Sequence, residues 1–374
     1  MTFDIHGIRK QFPVTHDSIY INHAGTGPMT VPARNAIEEC LDIYARQAEF
    51  NIDDYFSRVA RIRKQIARFI NAEPKEITLT HNTSEGLFIA LMNIPLRPGD
   101  TLIVMDEVFP AARYAVDQNL PHIQTRYVPF TRCDPVKTVQ PYLDGTVKAV
   151  VVDLAQYLSG EMIDIRAFSA FLKAEGVYCI VDGIQAIGAI DISIHDTDVD
   201  FLSCGAAKWL FGPSGAGFLY INKKNFPILN KVHTGWLGAQ WKGFEDCAQR
   251  PALYDDARMF EQGTRNIIGA SAMAANLALL MNTGMHTVAQ RIQLLKSKLR
   301  NALESMDHEI LTPVQDVQSG ILTARPLQGT EHMYKMLHDN HVTVSLRNGW
   351  LRFSPHYYNT EEEIDKVIGL LEKQ

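Results

Sequence analysis

Three short stretches of unbroken apolar residues, 102–105, 149–152 and 178–181, constrain the fold more than any other feature of the sequence. A strand with one wet face alternates apolar and polar residues, whereas a strand apolar at every position must be covered on both faces. Residues 87–93, 111–119 and 165–175 read as helices between them. Strands that alternate with helices form a mostly parallel sheet, with ligands bound beyond the carboxyl ends of the strands. After Gly263 the pattern changes: 266–281 and 288–306 read as two helices, followed by strands at 320–324, 342–346 and 350–354. A terminal helix opens at Asn359, Thr360 and three successive glutamates, acids suited to a helix start. This predicts a large α/β domain over 21–258, a smaller α+β domain over 259–374, and an N-terminal arm, 1–20, packing with the small domain. A chain of 374 residues suits two such domains better than one.

Composition narrows the class. Hydrophobic content of 46% with 21% charged residues is that of a folded globular protein, and a net charge of −6 offers no basic patch for nucleic acid. The first sixteen residues lack the apolar core of a signal peptide, and no uninterrupted apolar stretch is long enough to cross a bilayer, so a cytoplasmic protein is expected. The five cysteines, at 40, 133, 179, 204 and 247, are odd in number and form no CxxC pair, which fits reduced thiols. His338 and His341 lie three apart without a neighbouring acidic or cysteine pattern, and no metal site is expected.

The chemistry concentrates in residues 181–220. Asp182 follows a predicted strand, Gln185 stands three residues on, and Lys208 sits in an uncharged run ahead of a glycine-rich turn at 212–217. That turn lacks the Gly-Lys-Ser/Thr ending of a nucleotide P-loop. Pyridoxal 5'-phosphate (PLP) needs a carboxylate beside its ring nitrogen, the role of Asp182, and a partner for its ring hydroxyl, within reach of Gln185. It also needs a lysine whose amine is neutral often enough to be displaced from a Schiff base, which calls for a desolvated setting such as that of Lys208. Upstream, Asn82 and Glu85 form a capping pair ahead of an apolar helix, and a helix start offers free N–H groups and a favourable dipole to a phosphate. Thr83 and Ser84 are the candidates there.

Five blocks in order carry a resemblance over nearly the whole chain: residues 20–28 (YINHAGTGP), 81–87 (HNTSEGL), the Asp182 to Lys208 block, 263–266 (GTRN) and 351–360 (LRFSPHYYNT). They resemble the class V aminotransferase family of fold-type I PLP enzymes, which includes cysteine desulfurases, kynureninases and isopenicillin N epimerase-like proteins. The resemblance implies a homodimer in which Thr264 reaches the partner's site, and Phe109 as the residue stacked on the cofactor where desulfurases carry histidine. A core-packing role for Phe109 is the plain alternative. It implies that Arg352, with Arg347 as the alternative, binds an α-carboxylate, a pairing suited to a planar guanidinium. Asn22, His23 and Ala24 are expected on the opposite pocket wall, and Tyr157 where desulfurases have an asparagine. The chain departs from the family before the lysine, with Gly205 and Ala207 where Ser or Asn and then His are usual, so that Ser203 or a partner subunit is expected to supply phosphate contacts. No cysteine lies in 319–347, where desulfurases carry their sulfur-accepting nucleophile.

The expected activity is therefore PLP chemistry at the Cα of an amino acid or amine, nearest the epimerase-like branch, with Lys208 moving the Cα proton. Amino transfer, epimerisation and β-elimination share these first steps. A C–S lyase acting on a cysteine derivative and a non-catalytic PLP-binding protein stand as alternatives.

Overall fold

The computed structural model describes residues 3–130, 134–242, 248–315, 318–326 and 329–373. Seven strands form the central sheet: β1 Ile77–Thr80, β2 Thr101–Met105, β3 Gln124–Val128, β4 Val147–Asp153, β5 Tyr178–Asp182, β6 Phe201–Gly205 and β7 Gly217–Ile221. Their spatial order is β1-β7-β6-β5-β4-β2-β3, and all neighbours are parallel except β7, which is antiparallel to both β1 and β6. The unbroken apolar runs behave as expected. Ile103, Met105, Val150 and Val152 enter one core, while Leu102, Val104, Ala149 and Val151 enter the core on the opposite face, because successive side chains in a strand point to opposite sides.

Four of these strands are not visible as apolar runs. β1 and β3 are the sheet's edges, and β3 (QTRYV) is correspondingly polar and partly exposed. β6 and β7 are short and end in or start from glycine. The helix at 87–93 begins earlier, at Thr83, so that the capping pair lies at its true start. Helices Val31–Gln47 and Ile52–Phe69 pack against Ile267–Thr283. Ile267, Met273 and Leu277 of the last of these belong to the large core beside the sheet.

The C-terminal part forms its own antiparallel sheet in the order Ser345–Arg347, Trp350–Phe353, Leu322–Arg325, Glu309–Ile310. A two-residue turn at Asn348 and Gly349, both with positive φ (51° and 78°), joins the first two strands. This is the hairpin geometry that an Asn-Gly pair favours. The expected strand over 342–346 is two strands, because Val342–Thr343 leaves this sheet to pair in parallel with Ile19–Tyr20. The N-terminal arm is thereby tied to the C-terminal segment. Arg9 bonds Glu363 (2.8 Å) and the Tyr358 carbonyl (3.1 Å), and Phe12 stacks on Tyr358 with ring centroids 4.0 Å apart. No single helix among the described residues is long and apolar enough to cross a membrane. Ile267–Thr283 and Met285–Ser305 reach that only jointly, across an 83° bend.

Phe12 is fully buried, edge-on to Phe211 as well as stacked on Tyr358. Truncating an aromatic in such a site removes both its transfer free energy and its packing partners, so Phe12→Ala should lower stability by about 3–5 kcal/mol. A denaturant midpoint unchanged from wild type would show the arm to be energetically detached.

Candidate active site

The parallel strands deliver their carboxyl ends to one side of the sheet. Asp182 closes β5 and Asp153 closes β4, and the two are register partners. Lys208 lies three residues past the end of β6, in a turn where the Phe211 N–H donates to the Lys208 carbonyl (3.1 Å) and Gly212 N–H to Ala206 (2.8 Å). The segment following the N-terminal arm crosses this turn, with Gly27 N–H donating to the Ala207 carbonyl (2.8 Å). A Cβ at Gly27 would stand 2.1 Å from the Lys208 carbonyl oxygen, so the approach requires glycine. A cavity of about 150 Å³ opens here, lined by Thr83, Ser84, Phe109, Asp182, Lys208 and Ser214 among others.

Lys208 has no hydrogen bond or ion pair among the described residues. Burial draws its amine below the ordinary lysine range, against the opposing pull of Asp182, and nearby Arg352 adds to the depression. Asp182 is held up at about 6 by burial, although its Oδ1 accepts the Ile184 N–H at 2.9 Å. Arg352 is buried on the strand Trp350–Phe353, and burial, with Arg347 nearby, lowers it to about 10. It donates to the Tyr157 carbonyl (2.5 Å) and, at 3.4 Å, to Ser345 Oγ, and its Nε is buried without a partner.

The helix Thr83–Asn93 aims its first turn at the same end. Asn82 Oδ1 accepts the Glu85 N–H (2.9 Å), and the Glu85 carboxylate returns to the His81 N–H (2.5 Å). Thr83 and Ser84, whose N–H groups have no intrahelical acceptors, line the cavity. Thr83 is fixed from beneath: its Oγ1 accepts the Gly205 N–H (2.9 Å) and its carbonyl accepts from Ser203 Oγ (2.8 Å). Gly86 lets the helix sit so low, since a Cβ there would be 2.1 Å from Ser203 Oγ.

Several expectations need correcting. Ser203 does not reach the cavity; its hydroxyl is spent on the helix above it. Gln185 donates to the Ala24 carbonyl (3.0 Å) and accepts from the Trp209 indole (3.1 Å), so it braces the Lys208 turn and is absent from the cavity lining. His23 forms no pocket wall. It is fully buried, donating from Nδ1 to the Ser354 carbonyl (2.8 Å) and accepting from the Tyr358 hydroxyl (3.0 Å), and burial lowers it to about 3. Asn22 is bonded to Ser345 (2.5 Å), one step behind Arg352. Tyr157 meets Arg352 through its backbone carbonyl, not its phenol, and its ring lies edge-on to Phe109 at 5.9 Å. Phe109 is not core: it is 48% exposed, with its centroid 5.6 Å from Lys208 Nζ. Arg347 is exposed. Thr264 lies away from this cavity, in a groove with Tyr44, Ile52 and Trp236. Cys133 and Cys247 fall outside the described residues. Asp153 and Ser345 were missed. Asp153 ends an apolar run as Asp182 does, and that parallel was the available signal.

A partly buried lysine without a bonded partner, a strand-end carboxylate and a helix start around one small cavity are the donor set that PLP requires, and with this sheet they define a fold-type I PLP-dependent enzyme. The chain belongs to the aminotransferase class-V family, whose model matches residues 19–367. A probable cysteine desulfurase of Pyrococcus abyssi is 25% identical, with 98% of this chain and 96% of that protein aligned. A kynureninase of Deinococcus radiodurans is 26% identical over 83% of this chain and 78% of its own length. Among solved structures, the cystine C–S lyase C-DES in complex with its product cysteine persulfide has a TM-score of 0.89 at 22% identity, covering 96% of this chain and 99% of that one. Family membership sets aside the non-catalytic reading.

Purified protein should be yellow, and borohydride should fix the cofactor covalently to Lys208. A fixed adduct surviving in Lys208→Ala would assign the linkage to another lysine.

Proposed function

We propose that this enzyme removes the Cα proton of an α-amino acid, with Lys208 as the base and Arg352 as the carboxylate anchor. The observation that carries this reading is Arg352, a buried guanidinium bonded only to neutral oxygens, with its Nε unpartnered, and close enough to Lys208 to act on it electrostatically. A buried charge left unpaired is unfavourable by several kcal/mol, and a substrate carboxylate relieves it. Asp182 would partner the ring nitrogen of PLP, Thr83 and Ser84 would receive its phosphate at the helix start, and Phe109, exposed beside Lys208, would pack on it. PLP, when bound, supplies the electron sink for the pair left at Cα. Partial burial draws the amine of Lys208 below the ordinary lysine range, the direction that a base needs.

A second reading, elimination from Cβ of a cysteine derivative, is favoured over sulfur transfer by the absence of any cysteine in 319–347. The described cysteines, Cys40, Cys179 and Cys204, are all buried, and burial raises the thiols of the last two. We also propose a cytoplasmic homodimer in which Thr264 completes the partner's site. The exposed aromatic and aliphatic groove around it supports a covered face. The division into a large and a small domain is kept, with Ile267–Thr283 packing beside the large sheet.

Products from a panel of amino acids decide the reaction. Pyruvate and ammonia from cystine or S-substituted cysteines mark the lyase, an inverted amino acid marks the epimerase, and a 2-oxo acid without ammonia marks amino transfer. Arg352→Ala should lose about 2–5 kcal/mol of substrate binding, the scale for truncating one partner of a buried charge pair. Amines lacking a carboxylate should be spared, and equal losses for both would make Arg352 structural. Sedimentation of the holoenzyme at micromolar concentration should give a dimer, and a monomer would remove Thr264 from the site.

A further inference from the structure

We propose that Asp153 is a second carboxyl group of the active site, a charge-tuning residue that keeps its proton beside ionised Asp182 and so holds the pair at one negative charge opposite Lys208. The inference rests on Asp182 being the ring-nitrogen partner. Asp153 and Asp182 are the last residues of adjacent parallel strands and exact register partners, so their side chains leave the same face of the sheet about 5 Å apart. Both are buried. Each accepts a single backbone N–H: Asp182 Oδ1 from Ile184 at 2.9 Å, Asp153 Oδ2 from Phe109 at 3.3 Å.

The charges around the pair do not suffice for two anions. β5 contributes Asp182, β6 the buried thiol of Cys204, and the loop above Asp153 only the Phe109 N–H. Lys208 is the cation that acts on both carboxylates, and Arg352 acts on Lys208 from the small sheet. Two like charges at this separation in a buried site cannot both be held, and one carboxyl keeps its proton. The shorter backbone bond selects Asp182 as the anion, which leaves the proton on Asp153 Oδ1, the oxygen not facing Phe109. Burial first, and the Asp182 charge second, drive Asp153 well above the carboxylate range. An ionised Asp153 would make the Lys208 amine harder to deprotonate, so a neutral Asp153 favours the free base.

The sign of the stability effect follows. A carboxyl whose folded pKa lies above its unfolded value of about 3.9 penalises the native state increasingly as pH rises from that value to the folded one. The cofactor-stripped full chain of Asp153→Asn should therefore gain in melting temperature over wild type as pH rises from about 5 to 8. A constant difference overturns the proposal. Infrared difference spectra at neutral pH should show a protonated-carboxyl band in wild type that Asp153→Asn lacks, and loss of ionised-carboxylate bands alone would overturn it too. In the holoenzyme Asp153→Asn, a neutral amide in place of a neutral carboxyl, should leave the acid limb of the kcat/KM profile within about 0.3 pH unit of wild type, whereas a fall of that limb by about one unit or more would show Asp153 to be ionised in wild type and overturn the proposal. Failure of the Asp182 assignment reads out separately. Asp182→Asn would then keep its turnover, while the melting and infrared arms, made without cofactor, still decide where the proton sits.

Discussion

Keeping a lysine amine out of water with no anion bonded to it is unfavourable, and much of the molecule is arranged to sustain that condition at Lys208. The turn is fixed from every side except the one facing the cavity. Gly27 crosses above it, Gln185 holds the neighbouring Trp209 indole, and the Phe211 and Gly212 amides close it from within. The Trp209 ring packs against Gly320 of the C-terminal part, where a Cβ would stand 2.3 Å away. A lysine on a loose loop would swing into solvent and regain its ordinary basicity. On the function proposed above, rigidity of the turn is what would let burial make Lys208 a base.

The second buried cation is positioned by different means. The Asn348–Gly349 turn sets the register that places Ser345 opposite Arg352, and Ser345 in turn meets Asn22. Its other support is the Tyr157 carbonyl, on a loop that the small sheet grips through Thr323 and Ser319. The guanidinium thus sits where three separated stretches of chain meet, with one edge left over.

Legibility in the sequence followed burial on both faces. β2, β4 and β5 were apparent as unbroken apolar runs, and Asp182 and Lys208 as polar residues set against such runs. Edge strands β1 and β3 carry polar side chains and gave no such contrast. Among site residues, those whose role depends on chemistry at the cavity (Lys208, Asp182, Thr83, Ser84, Phe109) do line it. Gln185, His23, Asn22 and Ser203 were polar residues in suggestive places whose hydrogen bonds turn out to be made with the protein itself. Which way a hydroxyl or amide spends its bonds depends on neighbours hundreds of residues away, and that is invisible in a local pattern. Asp153 went unnoticed because its significance lies in a pairing between strands, not in either strand alone.

The weaving of the two chain ends has a consequence for how the protein is made. Arg9 and Tyr358 are separated by 349 positions, and the Ile19–Tyr20 segment pairs with Val342–Thr343 near the other terminus. During synthesis Ile19–Tyr20 has no strand to pair with until Val342–Thr343 has been added. Contacts of such long sequence separation form late and slowly. A ribosome stalled before residue 342 would leave Ile19–Tyr20 without the strand it pairs with.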